Sequence, residues 1–172
     1  GVGLNTIQGA ALCGANTVIA VDTNPGKLDY AKEFGATHLI NATETDPVAA
    51  IQEITRGRGA DYTFEAIGIS DVIRQAYDSA RRGGTVTIIG IAHPDEEVVI
   101  PAQQLPRDAK KILGSFYGST RQRVDIPRLL DLYRSGRLKL DELVTRTYPI
   151  DEAQQALDDL VAGKNARGVL IF

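Results

Sequence analysis

The stretch Val18-Ile19-Ala20-Val21-Asp22 decides the fold. Asp22 stands nineteen residues after Gly3 of the opening Gly1-Val2-Gly3, with a helix-forming segment between them. A glycine turn, a helix and an apolar strand ending in an acid form the second half of a dinucleotide-binding unit. The carboxylate of such a unit accepts hydrogen bonds from the adenosine ribose hydroxyls. It points to NAD rather than NADP, because an added ribose phosphate would be repelled by the acid. The next residues, Thr23 and Asn24, offer no Arg to hold that phosphate.

The opening glycines admit two readings. As the first two glycines of G-x-G-x-x-G they would put Thr6 in the third position, a poor fit where helix and strand must approach closely. As the tail of the motif, Gly3 is its last glycine, and Asp22 then falls at the expected spacing of about 20 residues. This second reading places the first strand and the first glycines upstream of Gly1. The chain is therefore expected to be a fragment of a longer protein.

Composition fits an α/β domain. With 172 residues, 43% hydrophobic and 24% charged, the chain can bury one good core and a small appendage. The net charge of −3 argues against nucleic acid, which calls for a basic patch. No apolar run approaches the ~18 residues of a membrane span, no signal peptide is expected, and the cytoplasm is the default compartment. The single cysteine, Cys13, has no second thiol for a disulfide or a metal site. Its expected place is a small buried apolar position in the first helix.

Strands and helices alternate along the chain at βαβ spacing. Helices are predicted over 4–12, 25–34, 47–55 and 72–80, and strands over 17–21, 38–40, 62–66 and 85–89. Gly14 ends the first helix. Pro25 and Gly35 punctuate the second in the usual sense, proline inside the start and glycine past the end. The pattern is that of a Rossmann-type doubly wound parallel sheet lacking its first strand. Ligands of such sheets bind beyond the carboxyl ends of the strands. There, Glu65-Ala66-Ile67-Gly68 and Ile89-Gly90-Ile91 each bring an apolar residue and a glycine, which lets backbone approach a flat ring. The plain structural alternative, that glycine is the easiest way from strand to loop, fits the spacing equally well.

Together these residues resemble the zinc-dependent alcohol dehydrogenases of the medium-chain dehydrogenase/reductase superfamily, over essentially the whole chain. Gly1-Val2-Gly3-Leu4 looks like the end of that family's glycine motif. Phe34-Gly35-Ala36-Thr37 and the GADYTFEAIG of residues 59–68 look like its next signatures. The stretch from Gly83-Gly84-Thr85 to Gly90 resembles the strand under the nicotinamide, and Ala166-Arg167-Gly168-Val169 the C-terminal segment. Their order and spacing are specific where each alone is modest.

The resemblance implies roles. Gly1, Val2 and Gly3 would let the pyrophosphate reach a helix N-terminus, whose N–H groups favour an anion. Asp22 would take the adenosine ribose with Lys27 beside it. Ile67, Ile89, Gly90 and Ile91 would shape the cleft around the nicotinamide, and backbone groups of Ser115 and Tyr117 would hold its carboxamide. Arg167 would reach a pyrophosphate oxygen, a role suited to a permanently charged fork. Lys27 and Arg167 also read as ordinary solvated cations.

Other polar features carry less. Arg121, Arg123, Arg128, Arg134, Arg137 and Lys139 are interleaved with Asp125, Asp131 and Asp141 and read as an exposed face. His38 and His93 are the only histidines, and neither has a partner at metal-ligand or triad spacing. His93, in a loop after a strand end, is a weaker candidate to lie near the cofactor.

In the family a zinc ion stabilises the alkoxide while hydride moves between an alcohol carbon and nicotinamide. Its usual catalytic ligands are two cysteines and a histidine, and its structural zinc uses four cysteines. None of these motifs occurs here, so no catalytic or metal-ligating residue is assigned to this chain. The resemblance implies that they lie upstream. Residues 1–117 then read as the NAD-binding domain and 118–172 as helices and a strand returning toward a catalytic domain. The partners implied are NAD and a small alcohol or aldehyde. A homodimer or homotetramer is expected through Lys111-Ile112-Leu113-Gly114-Ser115, which resembles the family's pairing edge strand. Two other readings stay open: a stand-alone NAD-binding or regulatory module without turnover, and a zinc-free reductase or polyol dehydrogenase of the same superfamily.

Overall fold

The structure, a computed structural model, describes all residues from Gly1 to Phe172. Seven helices and seven strands follow in the order α1 (Val2–Leu12), β1 (Ile19–Asp22), α2 (Pro25–Glu33), β2 (His38–Asn41), α3 (Pro47–Ile54), β3 (Ala60–Glu65) and α4 (Ser70–Ser79). After these come β4 (Ala80–Ile88), α5 (Gln104–Asp108), β5 (Lys111–Gly114), α6 (Gln122–Arg134), β6 (Arg146–Pro149), α7 (Ala153–Val161) and β7 (Gly168–Ile171). The chain forms two compact units. One comprises Gly1–Val18, Asp29–Ala36 and Arg121–Phe172, the other Ile19–Leu28 and Thr37–Thr120.

The second unit holds five parallel strands, and β6 and β7 pair in parallel in the first. β1 pairs with β2, and β3, β4 and β5 form a three-stranded sheet with β4 in the middle. No ladder joins β1 to β3, so the sheet is interrupted where the sequence pattern leaves room for its first strand. Side chains beside that gap stay in water: Tyr62 is 67% exposed, Phe64 45% and Val21 39%. α4 is amphipathic, burying Ile73 and Tyr77 four residues apart on one face. Tyr77 packs with Ala80 and Val86, and Ala76 and Ile100 close the cluster. The Thr63 hydroxyl donates to the Ala76 carbonyl at 2.9 Å, tying α4 to β3. α3 begins at Asp46, whose carboxylate accepts from the N–H groups of Val48 and Ala49 ahead of a helix opened by Pro47.

In the first unit, buried Gln8 of α1 exchanges two hydrogen bonds with Lys139. Its Nε2 donates to the Lys139 carbonyl and its Oε1 accepts from the Lys139 N–H, both at 3.0 Å. The Lys139 ammonium donates to the Glu33 carbonyl, 2.5 Å away, and lies 5.9 Å from the Phe34 ring centre. Lys139 therefore does not belong to the exposed cationic face expected of it, because its backbone and its amine are both used in packing. The other members keep that role: Arg121, Arg128 and Arg134 lie 3.6–3.8 Å from Asp125 or Asp131 along α6. Gly35, at φ +106°, is required where it sits, since a Cβ there would come 2.8 Å from the Ala11 side chain.

Cys13 corrects a second expectation. It is exposed, one residue beyond α1, where its N–H caps the helix on the Gly9 carbonyl before Gly14 turns the chain at φ +80°. The buried face of α1 is spent on Gln8 rather than on its C-terminal end.

The C-terminal β6-α7-β7 unit, whose two strands pair in parallel, is organised by Asp159, whose side chain is 1% exposed. Its Oδ2 accepts from Arg146 at 2.8 Å and from the Tyr148 hydroxyl at 2.9 Å, and its Oδ1 from Gln155 at 2.9 Å and Lys164 at 3.0 Å. Every lone-pair direction of a buried anion is thereby used. The bonds from Lys164 and Tyr148 hold its acid well below the usual carboxylate range, at about 2. A pKa depressed by folding contributes stability above the unfolded value and loses it as pH falls through the folded one. Asp159→Asn is therefore expected to lower the melting temperature at neutral pH. The gap from the unsubstituted protein should close between about pH 4 and pH 2. Thermal unfolding across that range checks it, and a gap independent of pH would contradict the assignment.

Candidate functional site

In the first unit the residues expected to meet the pyrophosphate lie at the start of α1. α1 starts at Gly1 with no side-chain cap, so its first N–H groups point outward along the helix axis. Nothing of the chain lies within 4 Å of a Cβ placed on Gly3, so a ligand can approach the backbone there. A Cβ on Gly1 would touch the Ala166 carbonyl oxygen at 3.5 Å, which brings the neighbouring Arg167 to the same helix end. Thr145 fixes that strand entry: its hydroxyl accepts from the Ala166 N–H at 3.0 Å, and its N–H donates to the Arg167 carbonyl at 3.1 Å. The Arg167 residue is exposed. Gly1, Val2, Gly3 and Arg167, assigned to the pyrophosphate from sequence, are thus neighbours.

In the second unit Asp22 closes β1, half-buried. Its Oδ1 accepts the Asn24 N–H at 2.9 Å, which orients the carboxylate. Asn24 in turn caps α2, its Oδ1 accepting from Gly26 at 2.9 Å. Lys27 follows on the first turn of α2 and is exposed. Sequence reading used Asn24 only as a residue that is not Arg. The Asn-Pro pair before a helix was the available signal for its capping role.

Beyond β3 and β4, two chain segments press together. Gly68 has φ +86°, and a Cβ there would lie 2.5 Å from the Ile91 carbonyl carbon. A Cβ on Gly90 would lie 2.6 Å from the Ile67 carbonyl carbon and 2.7 Å from Glu65 Oε2. Both glycines are demanded by this contact. The Ile89 and Gly90 N–H groups donate to the Glu65 carbonyl at 2.8 and 3.1 Å. Ile67 and Ile91 are left outward, 60% and 77% exposed, with Ile89 half-buried between the strands. The Ser115 N–H donates to the Ile88 carbonyl at 2.8 Å, bringing the end of β5 to the same place. Tyr117 stands with φ +48° in a run of left-handed residues through Gly118 and Ser119, an uncommon conformation for a tyrosine. It is 80% exposed and stacked edge-on with Phe116.

No group of three His, Cys, Asp or Glu side chains is placed to hold a metal ion. His38 bonds to Thr37 at 2.9 Å, and exposed His93 sits 3.5 Å from Asp95 in its loop. The zinc of the resemblance does not fit these residues. Within the second unit, the oriented acid at Asp22 and the closely packed glycines at 68 and 90 all lie at carboxyl ends of parallel strands, where ligands of such sheets bind.

Residues 1–135 match the family described as zinc-binding dehydrogenase. The chain belongs to that family. Across the whole length the chain is 40% identical to the NDMA-dependent alcohol dehydrogenase of Amycolatopsis methanolica, covering 99% of the chain and 47% of that relative. It superposes on benzyl alcohol dehydrogenase from Acinetobacter calcoaceticus with a TM-score of 0.93 at 35% identity, covering 98% of the chain and 46% of the other. A zinc-binding dehydrogenase from Sinorhizobium meliloti, solved bound to NADP, aligns at 30% identity and TM-score 0.88 over 99% of the chain and 49% of its own. The chain therefore spans about half the length of the relatives it matches, and it has the Rossmann-like fold of their cofactor-binding half. No helix is long and apolar enough to cross a membrane.

Proposed function

We propose that this chain is the cofactor-binding portion of an NAD-dependent, zinc-dependent alcohol dehydrogenase that moves a hydride between an alcohol/aldehyde pair and NAD. The observation that carries the choice of NAD is Asp22: a half-buried acid at the end of β1, oriented by the Asn24 N–H, with no arginine following it in Thr23-Asn24. In this reading Asp22 receives the adenosine ribose hydroxyls and Lys27 lies beside them. Gly1, Val2, Gly3 and Arg167 take the pyrophosphate. Ile67, Ile89, Gly90 and Ile91 flank the nicotinamide, and backbone groups at Ser115 and Tyr117 hold its amide. When bound, the nicotinamide supplies the hydride chemistry. This chain's own residues bind and orient it. Zinc and the alcohol belong to residues outside 1–172.

Asp22→Ala tests the reading. Loss of charge-assisted hydrogen bonds at about 1.5–3 kcal/mol should weaken NAD roughly 10- to 100-fold and narrow the preference over NADP. Titration of both cofactors decides, and equal affinities in the unsubstituted protein would rule NAD preference out.

β5 supports the assembly part of the reading. It pairs on one side only, and its four residues are all exposed, including Leu113 at 51%. An open apolar edge suits twofold pairing with a second copy, in a homodimer or homotetramer. Residues 118–172 return toward the catalytic half, and the cytoplasm is the compartment.

A further inference from the structure

Glu65 is used by none of the roles above. It is 1% exposed, at the end of β3, and forms no ion pair. Its Oε1 accepts from the N–H groups of both Ile67 and Gly68, at 2.7 and 2.8 Å. Its Oε2 is buried without a hydrogen-bond partner and sits 2.7 Å from the position a Cβ on Gly90 would occupy. Its backbone carbonyl accepts from Ile89 and Gly90. One residue thus grips both segments, its side chain holding 67–68 and its main chain holding 89–90. Burying an acid in this way is costly, and retaining it calls for a job that an apolar side chain cannot do.

We propose that Glu65 is a positioning residue whose carboxylate clasps the Ile67-Gly68 turn against Ile89-Gly90-Ile91 and so sets the ledge that receives the nicotinamide end of the cofactor. This rests on the NAD reading above. The two N–H groups would otherwise be left unsatisfied beneath the ledge, and the turn carrying Ile67 would be free to lift. The adenosine end, with Asp22 on β1, does not depend on the clasp.

Three variants of the purified protein test it: Glu65→Leu, which fills the volume without an acceptor; Glu65→Asp, which withdraws the acceptor by one methylene; and Glu65→Gln, which keeps an acceptor oxygen. Binding of NAD and of AMP is measured for each, with the emission shift of bound NADH reporting the ring's surroundings. Loss of two charge-assisted bonds should weaken NAD about tenfold or more in the Leu and Asp variants and blunt the emission shift. AMP should stay within about twofold, and Gln should retain NAD binding within about threefold on the same grounds. If the Leu variant does not fold, the Asp variant carries the comparison. Failure of the unsubstituted protein to bind NAD overturns the cofactor reading and this proposal with it. Given NAD binding there, three results overturn the clasp alone: unchanged NAD affinity in Leu and Asp, parallel loss of AMP, or a Gln variant as weak as Leu.

Discussion

Residues 1–172 alone are expected to turn over no alcohol and to hold no stoichiometric zinc. A catalytic zinc takes three protein ligands plus an open position, and neither the single exposed Cys13 nor His38 and His93 belong to any such group. Enzymatic accelerations of about 10⁶-fold or more depend on the whole constellation, so the rate should fall to the uncatalysed background rather than to a fraction of normal. Elemental analysis and a hydride-transfer assay on a chain of verified mass decide. Turnover by that chain would overturn the chemistry assigned from the family.

The second large effect concerns the interruption between β1 and β3. Supplying a parallel strand there, as a covalent N-terminal extension, is expected to raise the melting temperature by about 10 °C or more. Tyr62, Phe64 and Val21 are each partly in water. Covering them is worth about 1–2 kcal/mol apiece, and the new ladder adds to it. A few kcal/mol is a large part of a typical stability of about 5–15 kcal/mol, and each shifts a domain of this size by about 2–4 °C. Amide exchange should show β1 and β3 opening faster than β4, which is paired on both sides. Equal melting temperatures, with β1 and β3 as protected as β4, would contradict this. The loss lies in exposed apolar surface and in edges that invite association, not in polar groups sealed in a core.

The order of elements was legible because each carries local punctuation. Pro25 and Gly35 bracket α2, Asp46-Pro47 opens α3, and the acid of Val18-Ile19-Ala20-Val21-Asp22 marks the end of β1. Gly68 and Gly90 were legible as backbone approach sites, though for a partner the sequence could not name. They approach each other. Glu65 was not legible, since a charged residue in a strand reads as solvent-facing until the turn it holds is seen. Lys139 was hidden for the same reason: its packing against α1 depends on a contact across 131 positions of sequence. Cys13 was misplaced because helix periodicity says which face is apolar but not where the helix stops being covered.

The interlocking of Gly68 and Gly90 has a consequence for chimeras. Because neither position admits a Cβ without displacing the other segment's backbone, the two loops cannot be exchanged with a relative one at a time. A graft of residues 65–68 without 88–91 would mismatch a surface fitted at both sides. Recombination between homologous dehydrogenases should therefore tolerate crossover points in α3 or α6, which keep both loops from one parent, and reject those in α4 or β4, which separate the parental origins of the two loops.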